Sequence, residues 1–282
     1  MNYQEYAEYR EKFVEMVDEK RLTELKNILS DLNVVDTAEI IEDMEDTYLL
    51  ICFRMLAKEK GAEVFSFMEP YDQKRIINKI NNSELEEILD ELDFDDMIDI
   101  LEEMPANVVT KVLQKSTPEE RTEINKFLMY DKNSAGSIMT IEYVSLKRDW
   151  TVAEALDHIK EFGKDKEIIY TCYVESEYKQ LLGFVSLRTL VVADKDALIN
   201  DIMETDLVYF STSDDKEEVA QAFTRYGYIA IPVVDREHRL CGIITFDDVM
   251  DIVEDEATED IHKMAAINPS EDEYLDQTPW QL

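Results

Sequence analysis

Glycine, proline and cysteine are scarce in this chain of 282 residues, which has six glycines, six prolines and three cysteines. So few glycines and prolines leave room for few tight turns, and this favours long stretches of helix. The cysteines, Cys52, Cys172 and Cys241, stand apart among apolar neighbours. An odd number of isolated thiols fits reduced cysteines better than a disulfide framework or a zinc site.

Basic residues are also scarce, since 29 Lys and Arg face 65 Asp and Glu and leave a formal net charge of −36. Such a chain is repelled by the phosphates of DNA and RNA, so we expect no nucleic-acid partner. It is not a disordered acidic tail, because 45% of its residues are hydrophobic and are spread periodically. The sequence shows no signal peptide and no run of about 20 apolar residues, which predicts a soluble protein or fragment.

Catalytic motifs are missing as well. The sequence has no nucleophile elbow, no phosphate-binding loop and no zinc motif, and its three histidines are scattered. We therefore do not expect an enzyme.

What the first half does have is a period of 24 residues between about residue 37 and residue 128. Apolar residues recur at the i, i+1 and i+4 spacing of a buried helical stripe, and Pro70 and Pro118 fall between paired helices. This predicts a right-handed helical-repeat solenoid of four hairpins within residues 1–130, with helices at 3–20 and 22–32 capping the array. The repeated columns are Ile40/Val64/Ile88/Val112, Ile41/Phe65/Leu89/Leu113 and Cys52/Ile76/Ile100/Ile124.

The second half contains an internal duplication. IMTIEYVSL from Ile138 matches IMETDLVYF from Ile202 at an offset of 64, and LGFVSLRTLV around Gly183 matches CGIITFDDVM around Gly242 at an offset of 59. Each copy is predicted to fold as strand, helix, strand, strand, helix. The fold class is therefore α plus α/β, with a first copy at 131–200 and a second copy at 201–254.

An acidic segment follows the duplication. Eight carboxylates lie between Gly242 and Ala266. A helix there would place four acids on one stripe, namely Asp248, Asp251, Asp255 and Glu259. Like charges a few ångströms apart repel by up to about 4 kcal/mol at an effective dielectric constant near 20, so these acids favour a hard divalent cation as ligand. A solvated acidic helix is the alternative interpretation.

The two copies resemble the tandem CBS domain family over residues 137–253. Many members of that family bind adenine nucleotides through a G-h-h-T/S-x-x-D pattern, in which h is apolar. The second copy carries the pattern as Gly242, Thr245 and Asp248, whereas the first copy has Thr189 in place of the acid. The resemblance implies a nucleotide site, with ATP as a candidate ligand, at Thr245 and Asp248.

The order of the parts is similar to the cytosolic region of MgtE-type magnesium transporters and channels. The similarity rests on the helical repeats, SAGSIMT at 134–140, the CBS pair and EDEATEDIHKMAA. It implies that residues 255–282 form a connecting or plug helix leading to a membrane domain that lies beyond this sequence. It also implies a homodimer through the CBS domains, a cell-membrane protein with this portion on the cytoplasmic face, and Mg²⁺ as both regulatory ligand and transported ion.

The same resemblance implies a set of magnesium ligands contributed by three parts of the chain, with the backbone of Gly136 near Glu259. Mg²⁺ bound between these parts would favour the closed pore. An adenine-nucleotide sensor and a protein-interaction scaffold remain alternative functions, and helix capping is an alternative role for Asp95. The implied ligands are Glu63, Asp95, Asp99, Glu217, Asp248, Asp251, Glu256 and Glu259.

Overall fold

The computed structural model describes residues 3–89, 91–104, 106–250, 252 and 253. The chain divides into two compact units, Met1–Leu128 and Met129–Leu282. The predicted connecting helix at 255–282 lies outside the described residues.

The described residues of the first unit form ten helices. Their bounds are α1 Tyr3–Asp18, α2 Leu22–Asp31, α3 Val34–Glu42, α4 Asp46–Met55, α5 Lys58–Ser66, α6 Pro70–Ile77, α7 Asn82–Leu89, α8 Phe94–Glu103, α9 Ala106–Lys115 and α10 Pro118–Phe127.

The helix positions confirm the 24-residue repeat. Helices α3, α5, α7 and α9 begin at residues 34, 58, 82 and 106, and α4, α6, α8 and α10 begin at residues 46, 70, 94 and 118. Pro70 and Pro118 begin α6 and α10, where a missing N–H costs no intrahelical hydrogen bond. Helix α2 begins at residue 22, one period before α4, so it is the second helix of a further unit rather than only a cap.

The repeated apolar columns form the core of this unit. Ile40, Val64 and Phe65 are fully buried, and the Cys52, Ile76, Ile100, Ile124 column is at most 4% exposed. Helix α3 packs on α5, and α5 packs on α7. Because one hairpin cannot cover its own apolar face, stacking supplies the burial, at about 1.5–3 kcal/mol for each large side chain.

The second unit contains two copies of an α/β motif, as predicted. Each copy has a three-stranded sheet, of order β1-β2-β3 or β4-β5-β6, in which the first pair of strands is parallel and the second pair antiparallel. Residues 246–250, 252 and 253 are helical. The elements are β1 Val144–Lys147, α11 Val152–Phe162, a 3₁₀ turn Gly163–Asp165, β2 Thr171–Glu175, β3 Leu181–Ser186, α12 Leu187–Val192, α13 Ile199–Ile202, β4 Phe210–Ser211, α14 Lys216–Tyr226, β5 Ala230–Val234 and β6 Leu240–Thr245.

The two copies differ in length at one place. Helices α11 and α14 begin 64 residues apart, but the strands that follow them begin 59 residues apart. The first copy is therefore five residues longer between its helix and its second strand. The additional residues fall between Gly163 and Thr171.

The start of each copy corrects the sequence prediction. We expected strands from Ile138 and Ile202, but β1 and β4 begin only at Val144 and Phe210. The residues ahead of them, 134–140 and 198–204, are called the leading segments below. Neither segment joins its own sheet: the first pairs with another element, and the second contains helix α13 and pairs elsewhere through Glu204.

Each leading segment pairs with the other copy. Thr140 of the first copy exchanges two hydrogen bonds, of 2.8 and 2.9 Å, with Ile243 of the second copy. Glu204 of the second copy exchanges two bonds of 2.9 Å with Phe184 of the first copy. A further bridge joins Ser134 of the first copy to Asp215, the N-cap residue of α14 in the second copy. The two copies are thus joined by a reciprocal exchange of backbone.

Two glycines make this exchange possible. A Cβ atom on Gly183 would lie 2.4 Å from the carbonyl oxygen of Glu204, and a Cβ atom on Gly242 would lie 2.5 Å from that of Thr140. The glycine of the repeated G-h-h-T/S-x-x-D pattern is therefore required by the close approach of the other copy's backbone.

The β-hairpin tips of the copies also pair. Gln180 bridges Arg239, and Leu181 N donates to His238 O at 3.1 Å. Lys179 and His238 occupy equivalent positions, each with φ of 61°. Both residues therefore adopt a left-handed backbone conformation, which is unfavourable for residues that have a Cβ atom.

Candidate metal centre

The T-x-x-D motif of the second copy forms a helix cap. Thr245 ends β6, and Asp248 lies in the first turn of the helical residues 246–250. Asp248 Oδ2 accepts hydrogen bonds from Thr245 N at 3.2 Å and from Thr245 Oγ1 at 2.5 Å. A carboxylate here satisfies a backbone donor at the start of the helix, so Asp248 has a structural role in addition to any ligand role.

The first copy caps the same turn without an acid. Thr189 N donates to Ser186 Oγ at 3.1 Å, and the hydroxyls of Ser186 and Thr189 lie 2.8 Å apart. The substitution noted in the sequence thus keeps the cap and removes the carboxylate. The acid at this turn belongs to the second copy only.

Glu167 is a functional candidate that the sequence analysis missed. It lies just ahead of β2, and its backbone N donates to Glu142 O at 3.0 Å. A carboxylate oxygen of Glu167 lies within 4.8 Å of one of Asp248. Its side chain also lies beside the hydroxyls of Thr245 and Thr140, which lower its pKa, and both threonines are at most 1% exposed. We call Glu167 and Asp248 the acid pair.

The environment of the acid pair opposes negative charge. Burial raises the pKa of Glu167 to about 8, and the charges of Asp248 and Asp247 add to this rise, while hydrogen bonds from Thr245 and Thr140 oppose it. Glu167 Oε2 is buried and has no hydrogen-bond donor among the residues that the structure describes. A buried carboxyl oxygen without a donor favours either a proton or a cation.

The donor set of the acid pair fits a hard divalent cation. It offers carboxylate oxygens from two residues and hydroxyl oxygens from Thr140 and Thr245. Mg²⁺ prefers six oxygen ligands and usually keeps several waters while binding one or two carboxylates. These residues would hold a partly hydrated Mg²⁺, whose charge would remove the repulsion between the two acids.

The duplication itself carries the signal that could have revealed Glu167. Glu167 falls within the stretch in which the first copy is five residues longer than the second. An acid in such an insertion, directly ahead of strand β2, is a candidate ligand. The acidic stripe that predicts the other ligands belongs to a different part of the chain and does not include it.

The implied ligands of the first unit lie on two helices. Asp95 and Asp96 are in the first turn of α8, where negative charge favours the helix N-terminus. Asp99 is exposed one turn later, and Glu63 is exposed on α5. Neither Asp99 nor Glu63 belongs to a cluster of three or more ligating side chains among the residues described.

The remaining implied ligands belong to the second unit. Glu217 is exposed in the first turn of α14, and its backbone N donates to the N-cap Asp215. The described part of the chain places it in no ligand cluster. Gly136 N donates to Thr212 O at 3.1 Å. Asp251, Glu256 and Glu259 lie outside the described residues, so the approach of Gly136 to Glu259 stays a prediction.

Within the described ranges, no helix combines the length and the apolar character that crossing a bilayer requires.

These features define a class of protein, a helical-repeat domain followed by a tandem CBS pair. The family model for the MgtE intracellular N domain matches residues 32–133, and the CBS domain model matches residues 135–196 and 199–255. The chain belongs to the MgtE family, of which it carries the intracellular N domain and the CBS pair.

Two curated relatives and two solved structures share this arrangement. The magnesium transporters MgtE of Thermus thermophilus and Bacillus subtilis are 35% and 29% identical over 92% and 93% of this chain. The chain spans 58% of the length of each relative. The crystal structure of the soluble part of a magnesium transporter has a TM-score of 0.79 at 29% identity, covering 89% of this chain and 99% of that one. The cytosolic domain of the Mg²⁺ channel MgtE in complex with ATP has a TM-score of 0.81 at 33% identity, covering 86% and 99%.

Proposed function

We propose that this chain is the cytosolic magnesium-sensing and gating region of an MgtE-type magnesium transporter or channel. The whole protein would then lie in the cell membrane, with this portion on the cytoplasmic face and Mg²⁺ as both regulatory ligand and transported ion. The observation that carries the proposal is the acid pair, in which Glu167 and Asp248 approach within 4.8 Å in a partly buried site. The family and the magnesium transporters among the relatives support the same function.

The gating mechanism follows from electrostatics. Without a divalent cation, the acid pair must hold a proton or bear the repulsion of two charges. Mg²⁺ would neutralise the pair, and equivalent ions would bridge acids of the helical domain, the CBS pair and the connecting helix and so favour the closed pore. The proposed bridging ligands besides the acid pair are Glu63, Asp95, Asp99, Glu217, Asp251, Glu256 and Glu259.

One ion is too weak to operate such a switch. At about ten times its dissociation constant, a site present only in the closed state contributes RT ln 11, or about 1.4 kcal/mol. A shift from 1:99 to 99:1 takes about 5.5 kcal/mol, so about four sites are needed. The proposal therefore requires several acidic sites and a cooperative response to Mg²⁺.

A magnesium titration of this chain tests the proposal. We expect Mg²⁺ to reduce the radius of gyration in small-angle scattering and to protect residues 254–263 from limited proteolysis. Asp248→Ala and Asp95→Ala should raise the midpoint of this response, whereas Glu177→Ala, on an exposed hairpin tip, should not change it. No response up to about ten times the expected dissociation constant would contradict the sensor function. Unchanged midpoints in both variants would remove Asp248 and Asp95 from the sites.

Adenine-nucleotide sensing is the second candidate function. One solved relative, the cytosolic domain of the Mg²⁺ channel MgtE, is in complex with ATP. If the chain senses adenine nucleotides, the sequence pattern assigns their binding to Thr245 and Asp248. Calorimetry with ATP and with AMP, beside Mg²⁺, separates the two functions because both assign a role to Asp248.

We also propose a homodimer formed through the CBS domains. Large apolar side chains are exposed at equivalent places of the two copies, for example Val191 at 67% and Met250 at 47%. Several large apolar side chains left exposed at matching places favour an interface. A two-fold axis would pair the same faces of two protomers. The equivalent exposed pairs are Phe162 and Tyr226, Tyr170 and Ile229, and Val191 and Met250.

A further inference from the structure

The nucleotide pattern of the second copy is already engaged by the protein's own groups. Asp248 Oδ2 accepts from both the backbone and the hydroxyl of Thr245. The side chain of Glu167 lies beside Asp248, with carboxylate oxygens of the two residues within 4.8 Å, and beside the hydroxyls of Thr245 and Thr140, which lower its pKa. A ribose or phosphate that approached this motif would have to displace these bonds.

Charge opposes a nucleotide at the same place. A phosphate group would bring negative charge to a turn that already carries Asp247 and Asp248, and the side chain of Glu167 lies within 4.8 Å of Asp248. A metal cation would bring the opposite charge, and it needs no more than the oxygens that are present. The arrangement therefore discriminates between the two ligand classes.

Glu167 has no counterpart in the other half of the pair. It lies in the stretch where the first copy is five residues longer, and the second copy passes from Gly227 to β5 at Ala230. The first copy's own motif carries Ser186 and Thr189 and no carboxylate. Glu167 is thus an added side chain directed at a motif that many CBS domains use for nucleotides.

We infer that Glu167 is a specificity-determining residue that excludes adenine nucleotides from the T-x-x-D motif of the second copy. Its side chain lies within 4.8 Å of Asp248 and would fill the space through which a ribose or phosphate must approach the motif. This inference goes beyond the proposed magnesium function, since it concerns which ligand class the motif rejects and would hold whether or not Mg²⁺ gates a pore.

Calorimetry with AMP in metal-free buffer tests the inference, because AMP presents one ribose and one phosphate and needs no Mg²⁺. We expect Glu167→Ala to bind an additional AMP, or to bind AMP at least about tenfold more tightly than wild type. The double variant Glu167→Ala/Asp248→Asn should lose this gain. Glu167→Gln keeps the volume of the side chain, so its AMP affinity should stay close to that of wild type.

Two results would overturn the inference. One is equal AMP affinity and stoichiometry in wild type, Glu167→Ala and Glu167→Gln, with all three folded by circular dichroism. The other is a gain that persists in the double variant, because the additional AMP would then bind elsewhere. A parallel Mg²⁺ titration of wild type separates this inference from the proposed function. If wild type shows no response to Mg²⁺ but Glu167→Ala still gains AMP binding, the sensor function is rejected and the inference on Glu167 stands.

Discussion

In both CBS copies the same glycine lies beneath the leading segment of the other copy, but the turn that follows is capped in two different ways. Gly183 and Gly242 face Glu204 and Thr140 at nearly the same distance. Three residues after each glycine, the first copy places Ser186, which is paired with Thr189, and the second places Thr245, which is paired with Asp248.

The difference shows that backbone geometry determines the residue at the glycine position, whereas the residue that caps the following turn can vary. At each of these positions a Cβ atom would lie within 2.5 Å of a backbone oxygen, so only glycine fits. A helix start can be capped by a hydroxyl or by a carboxylate at similar stability, so the acid can be gained or lost in one copy. The candidate site therefore depends on an acid that only the second copy carries, whereas the fold depends on the glycine that both copies share.

The largest expected effect comes from breaking the shared glycine contact. Gly183→Ala and Gly242→Ala should each destabilise the CBS unit by about 2–4 kcal/mol, because the added methyl group meets a backbone carbonyl and disrupts the two hydrogen bonds of the bridge. Urea unfolding followed by tryptophan fluorescence measures the change. Gly227→Ala is the control, since Gly227 has φ of +68° but open space around it, and should cost about 1 kcal/mol. Equal costs at all three glycines would contradict the exchange.

The apolar faces test whether the two copies contribute alike to association. Val191→Asp in the first copy and Met250→Asp in the second should each weaken a CBS dimer by about 100-fold, or about 2.7 kcal/mol, because each places a carboxylate twice in a symmetric apolar interface. Sedimentation equilibrium measures the dissociation constant. Tyr178→Asp, at a hairpin tip that is 77% exposed, is the control and should leave association unchanged. If all three proteins associate alike, this face is not the interface.

Glu167 makes the two copies differ in their response to pH. Its pKa in the folded chain, about 8, lies above the ordinary value of 4.5. The stability that this protonated group provides is complete below pH 4.5 and is lost as pH rises through 8. With EDTA present, wild type should lose on the order of 1–2 kcal/mol more than Glu167→Gln, because the carboxyl group is only partly buried and water screens its charge. Unfolding curves measured on both sides of pH 8 that change equally in the two proteins would contradict this.

The smallest expected effect comes from the two hairpin tips, where Lys179 and His238 occupy equivalent positions. Lys179→Gly and His238→Gly should each stabilise the CBS unit by up to about 1 kcal/mol, because glycine adopts a φ of 61° without steric cost. Thermal unfolding should show a small rise in midpoint for each variant. Tyr178→Gly, next to Lys179 but not at positive φ, should give no rise. Unequal gains at Lys179 and His238 would indicate that the Tyr209 ring, which contacts His238, contributes to stability there.

Part of the candidate site could be predicted from the sequence. Asp248 was identified from the acidic stripe and from the nucleotide pattern, and its place in the first turn after β6 follows from the duplication. Glu167 could not be found in this way, because an isolated acid in a loop has no periodicity. The sequence also predicted each leading segment as a strand in its own copy, since alternation of apolar residues does not reveal which sheet edge a segment joins.

The sequence alone determined the helical repeat, the duplication and the sparse turns, because apolar periodicity and glycine or proline placement act over a few residues and need no knowledge of distant neighbours. Only the tertiary structure decided that the leading segments exchange between the copies and that Glu167 meets Asp248. Both depend on strand pairings between residues far apart in the chain, where backbone hydrogen bonds form regardless of side-chain identity. The acid pair thus consists of two residues far apart in the sequence, Glu167 and Asp248, which come together only when the CBS pair folds.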